Sequence, residues 1–138
     1  MKADYLDAHE RHWDDAEMLR DAQRWANADH LYGMAAECGL KRLMLAFDMP
    51  FDQTKDKPTE RKDCTHADEI WMQYETYRSG HPQGAGYGLP STNPFGDWDV
   101  AQRYARQAEF DAARIAPHRV GADNVNRLVI KAVVEGLI

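Results

Sequence analysis

Residues 29–44 read DHLYGMAAECGLKRLM, and the fold follows from how this stretch is placed. At about 100° per residue, Leu31, Met34, Ala35, Cys38, Leu45 and Ala46 fall on one side of a helix, and Tyr32, Ala36, Leu40, Leu43 and Phe47 continue the arc. An apolar arc this broad predicts a helix that other helices surround. The gap opposite holds His30, Gly33, Glu37, Lys41 and Asp48. Glu37 and Lys41 stand four apart with the acid first, an orientation worth about 0.2–0.5 kcal/mol when exposed, so they are expected to pair along a solvated stripe. Arg42 falls at about 20°, inside the apolar arc. Its stem is expected in the core, with the guanidinium reaching either an acid on a neighbouring helix or a cleft.

Working outward, Trp13, Ala16, Leu19 and Ala22 recur at helical spacing and predict a first amphipathic helix from about Asp4 to Gln23. Asn27 or Asp29 is a suitable N-cap for the second helix, and Pro50 closes it after Phe47. The stretch 48–64 has no apolar period and alternates charge, so it reads as a solvated connector. Thr65 then caps a third helix through HADEIWMQYETY, with Asp68 and Glu69 in its first turn. The segment 78–96 is too rich in glycine and proline for regular structure and forms a second long connector. Asp97 is placed to cap a fourth helix through WDVAQRYARQAEFDAARI, with Trp98, Ala101, Ala105, Ala108, Ala112 and Ile115 as its stripe. Pro117 is expected to break it, and a fifth helix from about Asp123 carries Val125, Leu128, Val129, Ala132 and Val133. No window shows period-two alternation, so the expected class is all-α.

A chain of 138 residues is one domain with a core large enough to fold alone. Residues 1–100 hold 11 Lys and Arg against 19 Asp and Glu, while residues 101–138 hold 6 against 4. Most of such a surface repels a polyanion and favours a basic protein partner. No run of apolar residues is long enough to span a membrane, the first residues are charged, and the two cysteines suggest no disulfide, so a cytoplasmic protein is expected.

Candidate chemistry is sparse. The glycines of GAGYGLP lack the strand and the Lys-Ser/Thr ending of a phosphate loop. His9 and His12 are three apart on a helix but have no third ligand, so no metal site and no cofactor are expected. Cys38 reads as a packed hydrophobe, Cys64 lacks an activating partner, and the four tryptophans read as core anchors. Arg103 turns away from the Trp98 stripe, with Tyr104 beside it. If the glycine-rich connector folds over this helix, Arg103 pairs with Glu37 or holds an anion beside Lys41; an ordinary interhelical salt bridge is the plainer alternative.

ADHLYGMAAECGLKRLM resembles the central helix of HEPN-domain proteins, small helical bundles of prokaryotic toxin–antitoxin, defence and nucleotide-transfer systems, in its apolar helix with a Glu-Cys-x-x-Lys core. HADEIW is similar to the start of that family's following helix, and WDVAQRYA to a Trp, spacer, Arg-Tyr segment further on. The resemblance implies an antiparallel four-helix bundle, here with an additional helix and two long connectors, and frequent homodimers. In many members it also implies a metal-independent ribonuclease, built on a late Arg, four to six spacers, then His. This chain departs from that pattern. Arg114 and His118 are only three spacers apart across Pro117, and no histidine follows Arg127. Two early pairs fit the spacing, Arg24 with His30 and Arg61 with His66.

The expected function is therefore a non-catalytic interaction protein of a toxin–antitoxin, immunity or defence system that binds a toxin or antitoxin. Glu37, Lys41, Arg42, Trp98, Arg103 and Tyr104 are its candidate binding residues. A ribonuclease with a rearranged site drawn from His66, Arg103 and Arg61 is one alternative. A nucleotide-binding accessory domain with Lys41, Arg42 and Arg103 as a phosphate clamp is another.

Overall fold

The computed structural model describes residues 1–138. The helices are α1 (Tyr5–Asp21), α2 (Trp25–Ala46), α3 (Ala67–Ser79) and α4 (Ala112–Val134). A two-residue antiparallel pair, β1 (Phe51–Asp52) and β2 (Lys57–Pro58), and short 3-10 turns at Arg61–Asp63, Val100–Tyr104 and Gln107–Glu109 complete a mostly helical chain. No helix is long and apolar enough to cross a membrane.

The Asp4 carboxylate accepts the backbone N–H groups of Leu6 and Asp7, each at 3.1 Å, and so opens α1. α2 starts earlier than a capping side chain would dictate. Neither Asn27 nor Asp29 caps it; it begins at Trp25, and Asp29 is wholly buried one turn inside. α1, α3 and α4 each pack against α2, as its broad apolar arc requires. Tyr32, Leu40, Leu43 and Met44 of α2 meet Ile70 and Tyr74 of α3, and Ile115, Val125 and Val129 of α4, in one continuous core. α2 ends where Asp48 takes a φ of 65°, a left-handed conformation that aspartate tolerates. α3 begins one residue later than expected, with His66 rather than Thr65 at the N-cap position.

Three expectations are corrected. The stretch 48–64 is not merely solvated, because Phe51 pairs with Pro58 and Asp52 with Lys57 in a small hairpin that Phe51 anchors against the ring of Tyr5. The helix expected over 98–115 forms only in its last four residues, 112–115, which open α4. Its alanine stripe is too small to repay burial, and Ala101, Ala105 and Ala108 face water. The segment is instead pinned by Trp98 and Phe110, which are buried, and runs extended at Ala105 and Arg106 between its two 3-10 turns. Nor does Pro117 end a helix. α4 runs through it and absorbs both expected late helices, because Ile115, His118, Ala122, Val125, Val129 and Ala132 bury one face on either side of the proline. The roughly 3 kcal/mol such a proline costs is offset by that buried face.

At Gly121 a Cβ would lie 2.4 Å from the Pro94 ring, so only glycine lets the connector after α3 lie directly on α4.

Candidate functional site

The polar stripe of α2 is covered, contrary to its expected exposure. Glu37 and Lys41 are only 6% and 5% exposed, and His66 at the start of α3 reaches the Glu37 carboxylate. Lys41 Nζ donates to Glu37 Oε1 at 2.7 Å, and His66 Nδ1 lies 3.0 Å from Glu37 Oε2. The carboxylate favours the tautomer with hydrogen on Nδ1, which leaves Nε2 of His66 as a lone-pair acceptor. His66 is half-exposed and helps wall a hollow of about 270 Å³ with Cys64, Thr65, Asp68, Glu69, Asp99 and Val100. A buried lysine, a glutamate and a surface histidine thus form one continuous polar chain.

Two further histidines flank Glu37. Burial lowers the pKa of His12 and of His30, and the nearby positive charge of Arg103 lowers His30 further. Nδ1 of His30 is buried without a hydrogen-bond partner. Its ring lies parallel to that of Trp98, with centroids 5.9 Å apart. Trp98 itself sits where Gly33 leaves room, since a Cβ at Gly33 would fall 2.0 Å from the indole. The indole N–H donates to the Asp29 carbonyl at 3.0 Å. Burial pushes the Cys38 thiol and the Tyr5 phenol each up to about 12, so neither carries charge near neutrality.

The remaining candidates do not converge on this cluster. Arg103 is exposed and lies over the ring of Tyr104, 4.9 Å from its centroid, rather than pairing with Glu37. Tyr104 is 77% exposed. Arg61 is exposed on its 3-10 turn. Arg42 is half-buried and finds a cleft rather than an acid on a neighbouring helix. It lines a separate hollow of about 270 Å³ with Lys2, Asp4, Tyr5 and Asp56, and has no ion-pair partner within 4.0 Å.

A second polar centre, which sequence reasoning did not find, ties the connector to the helices. His118, fully buried on α4, has Nδ1 2.6 Å from Asp29 Oδ1 and Nε2 2.8 Å from Asp97 Oδ1. With a carboxylate on each nitrogen the ring is an imidazolium. Burial opposes that charge, but Asp29 and Asp97 outweigh it and raise the pKa. The hydrogen bond from His118 in turn lowers the pKa of Asp97. Gln102 Nε2 donates to the other Asp29 oxygen at 2.7 Å, and Phe95 stacks on the imidazolium with centroids 5.5 Å apart. An aspartate buried in an apolar helix was the available signal, since a buried carboxylate requires a cation somewhere in the chain.

No three His, Cys, Asp or Glu side chains gather in a way that would hold a metal ion. No protein-family model matches this chain, no curated protein matches its sequence, and no solved structure matches its fold.

Proposed function

We propose that this chain is a non-catalytic, HEPN-like interaction protein of a bacterial toxin–antitoxin, immunity or defence system, acting in the cytoplasm by binding a basic protein partner. The observation that carries the reading is the charge around His66. Asp68, Glu69 and Asp99 wall the hollow onto which it opens. A phosphate brought there meets carboxylates, whereas a lysine or arginine of a partner is attracted. The cations that a nucleotide clamp needs are dispersed: Lys41 is bound to Glu37, Arg42 lines another hollow and Arg103 lies over Tyr104. The resemblance of α2 to the HEPN central helix, with three helices packed on it, favours an antiparallel four-helix bundle able to form homodimers.

One observation favours a second reading, a metal-independent ribonuclease. Glu37 holds one nitrogen of His66 and leaves the other free beside the hollow, which is how a general base is oriented.

Two experiments on the purified chain separate them. Under the first reading total RNA in EDTA stays intact, and the product of an adjacent small open reading frame co-elutes with the chain. Joint replacement Asp68→Lys, Glu69→Lys and Asp99→Lys then abolishes co-elution. RNA cleavage that is lost in both His66→Ala and Arg103→Ala overturns the first reading and establishes the second.

A further inference from the structure

Four of the eight large apolar side chains that stand exposed on this chain belong to α4: Val120, Ile130, Val133 and Val134 are 57%, 54%, 47% and 80% exposed. Apolar surface gathered on one helix in this way marks a face that another surface covers. At about 100° per residue, Ala116, Val120, Asp123, Arg127, Ile130 and Val134 fall within a stripe about 80° wide. It lies on the side of α4 away from Ile115, Val125 and Val129, which face the core. The successive spacings along it are four, three, four, three and four, the alternation of a seam along which two helices pack.

The stripe is complementary to itself. Its spacings read alike in both directions from Val125. An antiparallel second copy centred there sets Ala116 against Val134, Val120 against Ile130 and Asp123 against Arg127, and every contact recurs on the other side of a two-fold axis. Within one chain Arg127 Nε already donates to Asp123 Oδ2 at 2.9 Å, and the Arg127 side chain is 77% exposed. Its remaining guanidinium N–H groups are therefore open to the carboxylate of the second copy. A parallel copy would instead oppose aspartate to aspartate and arginine to arginine, which disfavours that arrangement. The residues that flank the axis, Asn124 and Asn126, are uncharged, so the approach forces no like charges together there.

We infer that α4 is the face of a homodimer, in which two copies of this chain pack α4 antiparallel about a two-fold axis at Val125 and the Asp123–Arg127 pairs join across that axis. A homodimer belongs to the proposed reading, on which the inference rests only to that extent; the face, direction and register are argued from α4 alone.

Sedimentation of the purified full chain over a concentration series tests it. Six seam residues per copy make a small interface, so the 15.8 kDa chain should associate to a dimer with a dissociation constant on the order of 10–100 μM. Asp123→Arg and Arg127→Asp each oppose like charges across the axis and should each weaken the dimer at least about tenfold, with helical circular dichroism retained. An equimolar mixture of these two variants should associate as the parent does, because the two arginines of one chain then face the two aspartates of the other. The exchanged variant Asp123→Arg, Arg127→Asp should also dimerise like the parent. Damage to the fold would not be rescued by mixing. A parent that stays monomeric at about 1 mM, a dimer indifferent to either single replacement, or a mixture that stays monomeric would overturn the inference. Co-elution of a monomeric parent with the neighbouring gene product removes the dimer face and leaves the partner reading standing. A dimer that passes these tests with no co-elution does the reverse.

Discussion

Replacing Lys41 with methionine keeps all but the last atom's length of the side chain and removes its charge. The Lys41 side chain is 6% exposed and that of Glu37 is 9% exposed, so the substitution strands a buried carboxylate whose one remaining partner is His66. Removing one member of such a pair costs about 3–5 kcal/mol, far above the roughly 0.2–0.5 kcal/mol of the same i, i+4 pair in water. For a domain of this size, about 3–4 °C per kcal/mol puts the loss of Tm at roughly 10–20 °C. Glu37→Gln strands the ammonium instead and should cost a comparable amount. The double variant Glu37→Gln, Lys41→Met leaves no uncompensated charge, and it should cost at least about 2–3 kcal/mol less than the two single replacements added together, which is the coupling energy. Urea titrations of the four proteins at pH 7 measure this. Additive effects, with coupling below about 0.5 kcal/mol, would show that water reaches the pair and that its burial is not what holds α3 to α2.

Further outcomes follow from the second polar centre and from packing. His118→Gln removes a base whose pKa folding raises, and with it the hydrogen bond that lowers the pKa of its partner Asp97. The stability it contributes is fully present below the unfolded histidine pKa and is lost as pH rises through the raised one. At the acid end, the Asp97 contribution disappears as pH falls through its lowered value. Urea midpoints from pH 4 to 9 should therefore show an alkaline decline in the parent that is flatter in His118→Gln. Gly33→Ala puts a methyl 2.0 Å from the Trp98 indole, and overpacking costs about 1–3 kcal/mol, so Tm should fall and the segment 99–109 become sensitive to protease. An unchanged digestion pattern would count against the seating of Trp98. Native chain treated with iodoacetamide at pH 8 should be alkylated at the exposed Cys64 alone, because burial holds the Cys38 thiol near 12; mass spectrometry reads the site.

The helices that pattern alone places, α1 to α3, are those whose apolar residues recur over several turns. The region from 98 to 122 departs from its pattern for two physical reasons. Alanine at helical spacing satisfies a pattern while offering little area to bury, so Ala101, Ala105 and Ala108 looked like a stripe and are in fact exposed. Proline ordinarily terminates a helix, but an apolar face that continues beyond Pro117 outweighs one lost hydrogen bond. At the candidate site, the Glu37–Lys41 contact was legible from its spacing. Its burial was not, because the side chain that meets the carboxylate, His66, comes from the start of another helix whose approach no local pattern encodes. Asp29 has the residue type and place of a cap, and its partner lies 89 residues away in sequence.

That separation has a consequence for how the chain is made. α2 is complete early in synthesis, but its Asp29 waits for Trp98, 69 residues on, and for His118, 89 residues on. Until those arrive a bare carboxylate sits in an apolar surface and the notch at Gly33 stands open. A segment ending before α4 would therefore bury that carboxylate without its counter-charge.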